Sequence, residues 1–431
     1  MNDKTEKFAN LIKETDGFQR LLPQMLEKYR SFGTVKGTFS FSNPSDTERN
    51  VLEGLLKKDL SSVDKITFST AALVRALKHT PYEGIDLDQV VNLCFGSNVK
   101  TKKELKIEKS LMEEEFFRNI IDRFENTISG NWLYRIVSQK SKNWKYIHKY
   151  YLADPLRLQI ILEQVMNAGN NLPILTGDYK RISLFAFDIT KNPHAFDAGR
   201  VETNLLLLLI GDYLKESTEN LSAQKRHELF FSVGIVKDDL LNNTCVRGIS
   251  CFDHQGQEHK GTKGYFDEGD PQILTLNLLL NTNYVKIRGQ RIYILENSGV
   301  FSTLCERTAD RDITLICTGG QLTTASTLLI EILCRQNLKI YYSGDFDPEG
   351  LKIADSLKQK YPNINLWRYE KSDYMKSLST MPLSNERLKK LGTLKDKKLK
   401  QIANTMIKEK KAGYQENLIE EYYADLDNLL G

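Results

Sequence analysis

Apolar and polar positions alternate regularly along the last third of the chain, and this regularity predicts strands alternating with helices. Short apolar runs typical of buried β-strands lie at residues 291–295, 313–317, 338–342 and 364–368. Apolar positions at helical spacing lie between and after these runs, at residues 300–309, 323–335 and 348–360. Because strands separated by helices favour a parallel sheet with right-handed crossovers, we expect residues 271–431 to form an α/β domain with a Rossmann-like parallel sheet.

The first part of the chain has a mainly helical pattern. Residues 18–29 are amphipathic, and Ser45 with Glu48 matches a capping box at the start of a helix that runs to residue 56. We therefore expect residues 1–165 to form a helical arm, which is the natural region for binding partner proteins.

The middle region, residues 166–270, is predicted to be of mixed α+β type. Residues 200–214 read as a leucine-rich helix with a buried centre, because the pattern there is apolar all round. A shorter helix at residues 225–234 precedes a polar turn and two short β-like runs. This order is compatible with a winged-helix module, which would place a helix in a DNA groove, and equally with another small α+β unit.

Composition indicates a globular protein, with 40% hydrophobic and 27% charged residues. The net charge of only +4 does not by itself establish nucleic-acid binding. The first residues lack the pattern of a secretory signal, and the longest apolar run, residues 205–210, is too short to cross a bilayer. The six cysteines form no CxxC pair, and Cys317 and Cys334 lie in apolar segments. We expect a cytoplasmic protein without membrane contact, with reduced thiols and neither a zinc site nor disulfides.

Acidic residues follow two of the predicted strands. Glu296 ends the first strand, and Asp345 and Asp347 follow the third. The carboxyl ends of parallel strands share one sheet edge, and residues two apart on an extended segment point the same way. Three neighbouring carboxylates repel one another unless a cation compensates, and hard oxygen ligands select Mg²⁺ or Mn²⁺. Glu296, Asp345 and Asp347 are therefore the candidate metal ligands and catalytic residues.

A plainer interpretation is that Asp345 and Asp347 only cap the following helix, since Asp before Pro348 is a common N-cap. The upstream strand that ends in Glu296 favours a site over this alternative. Glu349 lies in the first helical turn, where an acid favours the macrodipole, and is interpreted as structural.

These motifs resemble the Toprim fold, whose pattern is a strand ending in Glu and a later strand ending in DxD. Here the two elements are Ile294-Leu295-Glu296 and the DFDPEG sequence at residues 345–350. The DxDPxG form is similar to Toprim domains of the archaeal topoisomerase VI A subunit and its meiotic relatives. The chain also resembles the D-subunit (JetD) family of bacterial Wadjet anti-plasmid systems, through the phrases NPHAFD at 192–197, ENSGVF at 296–301, SGDFDPEGLKIA at 343–354 and YQE at 414–416.

The resemblance implies an Mg²⁺- or Mn²⁺-dependent endonuclease that hydrolyses DNA, such as circular plasmid DNA, beside an SMC-like ATPase with its kleisin and accessory subunits. The ATPase would come from partners, because the chain has no GxxxxGK[ST] loop. Glu296 would hold a metal ion or act as general base, while Asp345 and Asp347 would hold one or two ions. A single site cuts one strand, so a two-fold homodimer is the natural way to cut both.

Two other functions stay open at this point. A topoisomerase-like subunit would need a catalytic tyrosine, and 19 tyrosines leave that possible. A non-catalytic subunit that binds DNA or organises an assembly is the other, because a fold alone does not imply activity.

Several further residues have two interpretations. The basic runs at residues 389–400 and 408–411 either contact phosphates or form a solvated helix face. A solvated helix face is the favoured interpretation of the lysine-rich stretch at residues 100–109. Glu416 is a distant candidate ligand, but a polar residue on a C-terminal helix is the plainer interpretation. His194 with Asp197 suggests a His-carboxylate pair, although Asn-Pro-His is typical of a turn.

Overall fold

The computed structural model describes residues 3–96 and 99–428. The chain divides into two compact units, residues 1–126 with 133–139, and residues 127–132 with 140–431. The helix Ile128–Gln139 is divided between them.

The first unit packs helices around one antiparallel strand pair, whose phenylalanines Phe39, Phe41 and Phe68 are buried. The capping box expected from the sequence is present, since Ser45 accepts a hydrogen bond from the Glu48 N–H and the Glu48 carboxylate accepts one from the Ser45 N–H. The elements of this unit are α1 (Asp3–Glu14), α2 (Leu21–Phe32), β1 (Thr38–Ser42), α3 (Asp46–Leu56), β2 (Lys65–Ser69), α4 (Thr70–Ala76), α5 (Leu87–Phe95) and α6 (Lys102–Arg123), followed by the divided helix α7 (Ile128–Gln139).

The second unit begins with further helices, which confirms the mainly helical character predicted for the first part of the chain. The leucine-rich helix Val201–Leu214 buries residues on several sides, as its all-round apolar centre indicates. The elements here are α8 (Trp144–Ala153), α9 (Pro155–Asn170), β3 (Lys180–Arg181), α10 (Ile182–Thr190), α11 (Val201–Leu214), α12 (Ala223–Ser232) and β4 (Ile235–Val236).

A six-stranded sheet with flanking helices forms the rest of this unit, which confirms the predicted α/β character. In sheet order its strands are β12 (Ile364–Leu366), β11 (Lys339–Ser343), β9 (Arg291–Leu295), β10 (Thr314–Cys317), β5 (Asn243–Arg247) and β7 (Pro271–Thr275). The first four are parallel, and β5 and β7 are antiparallel to their neighbours. Ile292, Ile294, Leu315 and Ile340 are fully buried, as expected of parallel strands covered by helices.

The remaining elements are helices that cover the sheet and short strands at its margins. They are β6 (Ile249–Phe252), α13 (Lys260–Glu268), α14 (Leu276–Leu280), β8 (Tyr284–Ile287), α15 (Ser298–Arg307), α16 (Thr324–Arg335), α17 (Pro348–Lys360), α18 (Lys371–Ser377), β13 (Leu378–Pro382), α19 (Asn385–Lys389), α20 (Lys397–Glu409), β14 (Lys411–Gly413) and α21 (Ile419–Asn428). Among the residues described, no helix combines the length and apolarity that crossing a membrane requires.

The sheet is mixed and not the parallel Rossmann-like sheet expected from the sequence, because β5 and β7 run antiparallel to their neighbours. It differs from the prediction in two further places. The fourth parallel strand ends at Leu366, not at residue 368, because Arg368 adopts a positive φ of 58°, which extended strands do not contain. The two β-like runs of the middle region do not pair with each other as a winged-helix hairpin would: β5 joins the main sheet and β6 pairs with β8. Gly248 turns the chain between them at φ 76°, where an added Cβ would lie 2.6 Å from the Ile313 carbonyl oxygen. The three-region division of the chain stays a prediction.

Arg247, the last residue of β5, is 1% exposed and connects the sheet to the helices beside it. Its guanidinium donates to the carbonyl oxygens of Gly269 (2.7 Å), Cys305 (3.3 Å) and Ala309 (2.9 Å), and to Thr308 Oγ1 (2.8 Å). Burial lowers the pKa of this guanidinium. Four neutral acceptors therefore take the place of water around a buried cation.

Candidate functional site

The carboxyl ends of β9 and β11 bring Glu296 and Asp345 together. The two strands are parallel neighbours in register, with Ser343 opposite Leu295, and the Glu296 N–H donates to the Ser343 carbonyl oxygen at 3.1 Å. Glu296 lies one residue beyond β9 and Asp345 two residues beyond β11, and the Asp345 N–H donates to Glu296 Oε2 at 3.3 Å. The sheet edge expected from the sequence thus places these two residues in direct contact.

Two glycines allow this close approach. A Cβ on Gly344 would lie 2.4 Å from Glu296 Oε2. A Cβ on Gly350 would lie 2.4 Å from the Asp345 carbonyl oxygen and 3.2 Å from Glu296 Oε2. Any larger side chain at either position would displace the Glu296 carboxylate or the loop after β11.

Asp347 is engaged on both carboxylate oxygens. Its Oδ1 accepts from the Gly350 N–H at 2.7 Å as the N-cap of α17, and its Oδ2 accepts from Arg387 Nη2 at 2.6 Å. Asp347 therefore caps α17, as the plainer interpretation of the sequence predicted. Glu296 and Asp345 are in contact in the same structure, so the cap and the acidic pair occur together.

Glu349 completes an ionic cluster at the start of α17. It accepts from Arg387 Nε at 3.1 Å and from Lys390 Nζ at 2.8 Å. Burial alone would raise the pKa of Glu349, but these two cationic donors lower it to about 2. Glu349 is therefore firmly ionised and paired with the basic segment that begins at Arg387.

Glu296 and Asp345, by contrast, form no ion pair with a cationic side chain among the described residues. Burial, together with the charges of Asp345 and Asp347, raises the pKa of Glu296 to about 7. Burial also raises the pKa of Asp345 to about 6, with added repulsion from Glu416 and Asp347 and an opposing hydrogen bond from the Gln415 N–H. A site with two such carboxylates gains stability when it binds either protons or a cation.

Two tyrosine hydroxyls are buried beside Glu296. Tyr342 and Tyr369 are fully buried, and among the described residues neither hydroxyl makes a hydrogen bond of ordinary geometry. The Cβ position of Gly344 lies 3.0 Å from the Tyr342 hydroxyl and 3.1 Å from that of Tyr369, so both face the space that Glu296 Oε2 occupies. The Tyr342 hydroxyl is nevertheless close enough to act as a donor that lowers the pKa of Glu296, and the Tyr369 hydroxyl interacts with the Gly344 backbone.

The segment after α20 closes the site from the other side. Phe346 and Gly413 exchange two backbone hydrogen bonds, of 2.9 and 2.8 Å. The Gln415 N–H donates to Asp345 Oδ1 at 2.9 Å, while its side-chain Oε1 accepts from the Asn297 N–H at 2.9 Å. The buried Gln415 therefore holds both strand ends in place.

Glu416 lies at the exposed margin of this arrangement, in the short 3₁₀ helix Gln415–Leu418 and not on the C-terminal helix. Its carboxylate accepts from Asn297 Nδ2 at 2.8 Å, and its charge contributes to the raised pKa of Asp345. Glu416 is thus near the carboxylates, at hydrogen-bonding distance from the residue that follows Glu296.

The residues present fit Mg²⁺ or Mn²⁺ in their chemistry. The donors are hard carboxylate oxygens, and the raised pKa values of Glu296 and Asp345 record negative charge that a cation would offset. Within residues 3–96 and 99–428, however, no three Asp, Glu, His or Cys side chains are arranged to hold a metal ion as they stand. Asp347 Oδ2 accepts a hydrogen bond from Arg387, so one oxygen of this candidate ligand already has a cationic partner.

The other candidate pair is separate from these contacts. His194 Nδ1 and Asp197 Oδ2 lie 2.9 Å apart, and both side chains are exposed. The Asp197 carbonyl oxygen accepts from Thr203, near the start of α11. The pair forms the turn before a helix that Asn-Pro-His indicates.

Sequence reasoning missed four residues that shape the site: Arg387, Gln415, Tyr342 and Tyr369. Gln415 lies in the YQE phrase, whose signal in the sequence is only a family resemblance, and Arg387 lies just before the basic run at residues 389–400. Tyr342 lies in β11 itself, where the alternation of an apolar strand indicates only burial.

Taken together, parallel strands with acidic side chains at their carboxyl edge define an α/β protein with a candidate cation site. The chain belongs to the family described as "Protein of unknown function N-terminus (DUF3323)", which it matches over residues 35–251, just over half of its length. Residues 273–426 match the family described as "Protein of unknown function C-terminus (DUF2399)". No curated protein matches the chain.

Proposed function

We propose that this protein is a metal-dependent DNA endonuclease of Toprim type. The observation that carries the proposal is the contact between Glu296 and Asp345 at the ends of neighbouring parallel strands, where both pKa values are raised. Perturbed carboxylates grouped at a sheet edge are typical of functional sites and are costly for a purely structural role.

Glu296, Asp345 and Asp347 would hold Mg²⁺ or Mn²⁺. When bound, the ion lowers the pKa of water and stabilises negative charge on the phosphate that is attacked. The Asp345 N–H fixes Glu296 Oε2, which leaves Oε1 to accept a proton. Without an ion the pKa of Glu296 is about 7, which suits a general base near neutral pH if Asp345 and Asp347 hold the ion; as a direct metal ligand Glu296 would have a lower pKa.

In the proposed hydrolysis, a water oxygen forms a bond to phosphorus and its proton passes to Glu296. The bond between phosphorus and the 3′ oxygen breaks, and that oxygen takes a proton from solvent. Gln415 keeps Asp345 and the Glu296–Asn297 turn in position during this step. Such positioning of the reacting groups is a large part of phosphoryl-transfer catalysis.

Basic residues next to the carboxylates support a nucleic-acid substrate. Lys390 pairs with Glu349 beside the site, and Lys389, Lys397 and Lys400 are exposed on the same segment. A cationic surface of this kind binds phosphates without reading sequence, so we expect little sequence preference.

The assay for this proposal is cleavage of supercoiled plasmid by the full chain with Mg²⁺ or Mn²⁺, alone and with an SMC-like ATPase complex and ATP. The variants are Glu296→Gln and Asp345→Ala, with Asp64→Asn, an exposed aspartate of the first unit, as the matched control. We expect nicked or linear product that EDTA, E296Q and D345A abolish and D64N leaves intact. Cleavage that survives E296Q and D345A would show that the site lies elsewhere.

A tyrosine nucleophile is the competing chemistry. Tyr342 and Tyr369, which neighbour Glu296, are fully buried and cannot reach a DNA backbone. The decisive observation is a protein–DNA adduct that resists denaturation, which the topoisomerase-like alternative requires and hydrolysis does not produce. Absence of both cleavage and adduct would favour the non-catalytic assembly subunit.

The proposed setting is a Wadjet-like anti-plasmid complex in the cytoplasm, with this chain as the nuclease subunit beside an SMC-like ATPase, a kleisin and an accessory subunit. It rests on the resemblance described above. A two-fold homodimer is proposed because one carboxylate site cuts one strand. Monomer and dimer can be separated by size and assayed individually. Nicked product from the monomer and linear product from the dimer would support the link between dimerisation and cutting of both strands.

A further inference from the structure

Arg387 reaches from α19 to the carboxylates at the start of α17. Its Nη2 lies 2.6 Å from Asp347 Oδ2, and its Nε lies 3.1 Å from Glu349 Oε2. The Arg387 side chain is 40% exposed, whereas that of Asp347 is 23% exposed. One guanidinium therefore bridges two acids from the solvent side of the cluster.

The two carboxylates that Arg387 contacts differ in whether they keep an oxygen for a further ligand. Glu349 has a second cationic partner, Lys390, and lies in the first turn of α17, two residues after Asp347. Asp347 has its other oxygen committed to the cap of α17, so Oδ2 is the oxygen that can face a further ligand. Release of Arg387 from Asp347 frees that oxygen, while the bond to Glu349 keeps the guanidinium beside the site.

A guanidinium and a metal cation compete for the same carboxylate oxygen, because each supplies the positive charge that the oxygen accepts. The planar fork of an arginine side chain also matches phosphate oxygens. Arg387 thus has two suitable partners within one site: Asp347 when no ion is bound, and a backbone phosphate once Asp347 is taken by an ion.

We propose that Arg387 is an exchangeable positioning residue that occupies Asp347 in the metal-free protein and transfers to a phosphate of the nucleic acid when a divalent cation binds. This inference rests on the proposed function and adds a coupling to it: cation binding and phosphate binding strengthen each other. Such coupling is reciprocal by thermodynamic necessity. The ion then gains its third carboxylate at the moment when substrate is engaged.

The first test measures Mn²⁺ binding to the full chain without DNA, by the loss of the free-ion signal in electron paramagnetic resonance. The variants are Arg387→Gln and Arg387→Lys, with Arg335→Gln as the matched control, an exposed arginine at the end of α16. We expect R387Q to bind Mn²⁺ about 5–10-fold more tightly than wild type, the range of an ordinary coupling between sites. R387K, which keeps the charge without the fork, should lie between them, and R335Q should match wild type.

The second test measures the salt dependence of affinity for a short duplex of mixed sequence, in EDTA and in Ca²⁺. Displacement of Mn²⁺ by Ca²⁺ in the first test verifies that Ca²⁺ enters the same site. With Ca²⁺, R387Q should show a slope of log affinity against log salt that is smaller by about 0.9, the loss of one phosphate contact. In EDTA the slopes of R387Q and wild type should coincide, because Arg387 is then bound to Asp347.

The outcomes separate this inference from the function on which it rests. Wild type that binds no Mn²⁺ overturns the metal site and the exchange together. Wild type that binds Mn²⁺ with an affinity that R387Q leaves unchanged or weakens overturns the exchange alone. A slope difference of the same size in EDTA and in Ca²⁺ also overturns it, since Arg387 would then contact phosphate without regard to the ion.

Discussion

The backbone N–H of Asp345 donates to Glu296 Oε2 at 3.3 Å, so the two acids meet through one main-chain bond across adjacent parallel strands. The contact fixes the orientation of Glu296 without neutralising it. The negative charge of the Glu296 carboxylate is therefore the basis of the predictions on pH and cation binding.

The first prediction concerns pH and stability. The pKa of Glu296 is about 7 in the folded protein against an ordinary 4.5, so folding favours its protonated form. The stability from this proton is fully present below pH 4.5 and is lost as pH rises through 7. Glu296→Gln removes the charge, and it should stabilise the protein at pH 8 by on the order of 2–3 kcal/mol, with little effect at pH 4.5.

Urea unfolding in EDTA at the two pH values measures this difference. Glu268→Gln, an exposed glutamate at the end of α13, serves as the control. Equal effects of E296Q at both pH values would show that repulsion at Glu296 does not destabilise the fold.

A second prediction concerns the cation itself. If Glu296 and Asp345 bind Mg²⁺, excess Mg²⁺ at pH 8 should raise the melting temperature, since a ligand at 100 times its dissociation constant stabilises the folded state by about 2.7 kcal/mol. Asp345→Asn should abolish this shift, and EDTA should reverse it. A shift of equal size in D345N would place the bound ion elsewhere.

The buried tyrosine hydroxyls give a third prediction. Tyr342→Phe and Tyr369→Phe each remove one weakly bonded hydroxyl beside Glu296, so the unfolding free energy should fall by no more than about 1 kcal/mol. Cleavage should nevertheless slow about 10–100-fold, the usual cost of losing groups that orient a metal ligand. Cleavage at the wild-type rate in the double variant would show that the hydroxyls only fill space.

Arg247 provides a fourth prediction, about the fold and not the site. Arg247→Ala leaves four acceptors without their donor in a buried position, and should cost on the order of 3 kcal/mol or more of unfolding free energy. Arg335→Ala, at an exposed position, should cost less than about 0.5 kcal/mol. A cost for R247A as small as that of R335A would contradict the connecting role of this residue.

The fifth prediction follows from the position of β5 between β10 and β7. A fragment of residues 273–431 retains the carboxylates but lacks β5, so it exposes the edge of β10 and should aggregate. A fragment of residues 127–431 keeps the whole sheet and should unfold cooperatively. Light scattering measures the aggregation of both fragments, and circular dichroism measures their folding. A monomeric, folded fragment of residues 273–431 would contradict the prediction.

The sequence was sufficient for the parallel strands and for the meeting of Glu296 with Asp345, because Glu296 directly follows one apolar run of strand length and Asp345 follows another within three residues. It could not place β5, since an antiparallel partner from 70 positions earlier leaves no local signal. Arg387 and Gln415 were missed for the same reason: their contacts to Asp347 and Asp345 span 40 and 70 positions. Asp347 shows a further limit, because the same residue type is suited to a helix cap and to a metal ligand.

Gln415 comes after Glu296, Asp345 and Asp347 in the chain, yet its N–H and side chain hold both Asp345 and Asn297. During synthesis the strands that carry the acids emerge from the ribosome first, and the residue that fixes them emerges last. Translation that stops before residue 415 therefore releases a chain with its acids present but not secured. If the proposed nuclease activity holds, a chain that ends before residue 415 is expected to lack it, because Asp345 and Asn297 then lose the residue that positions them.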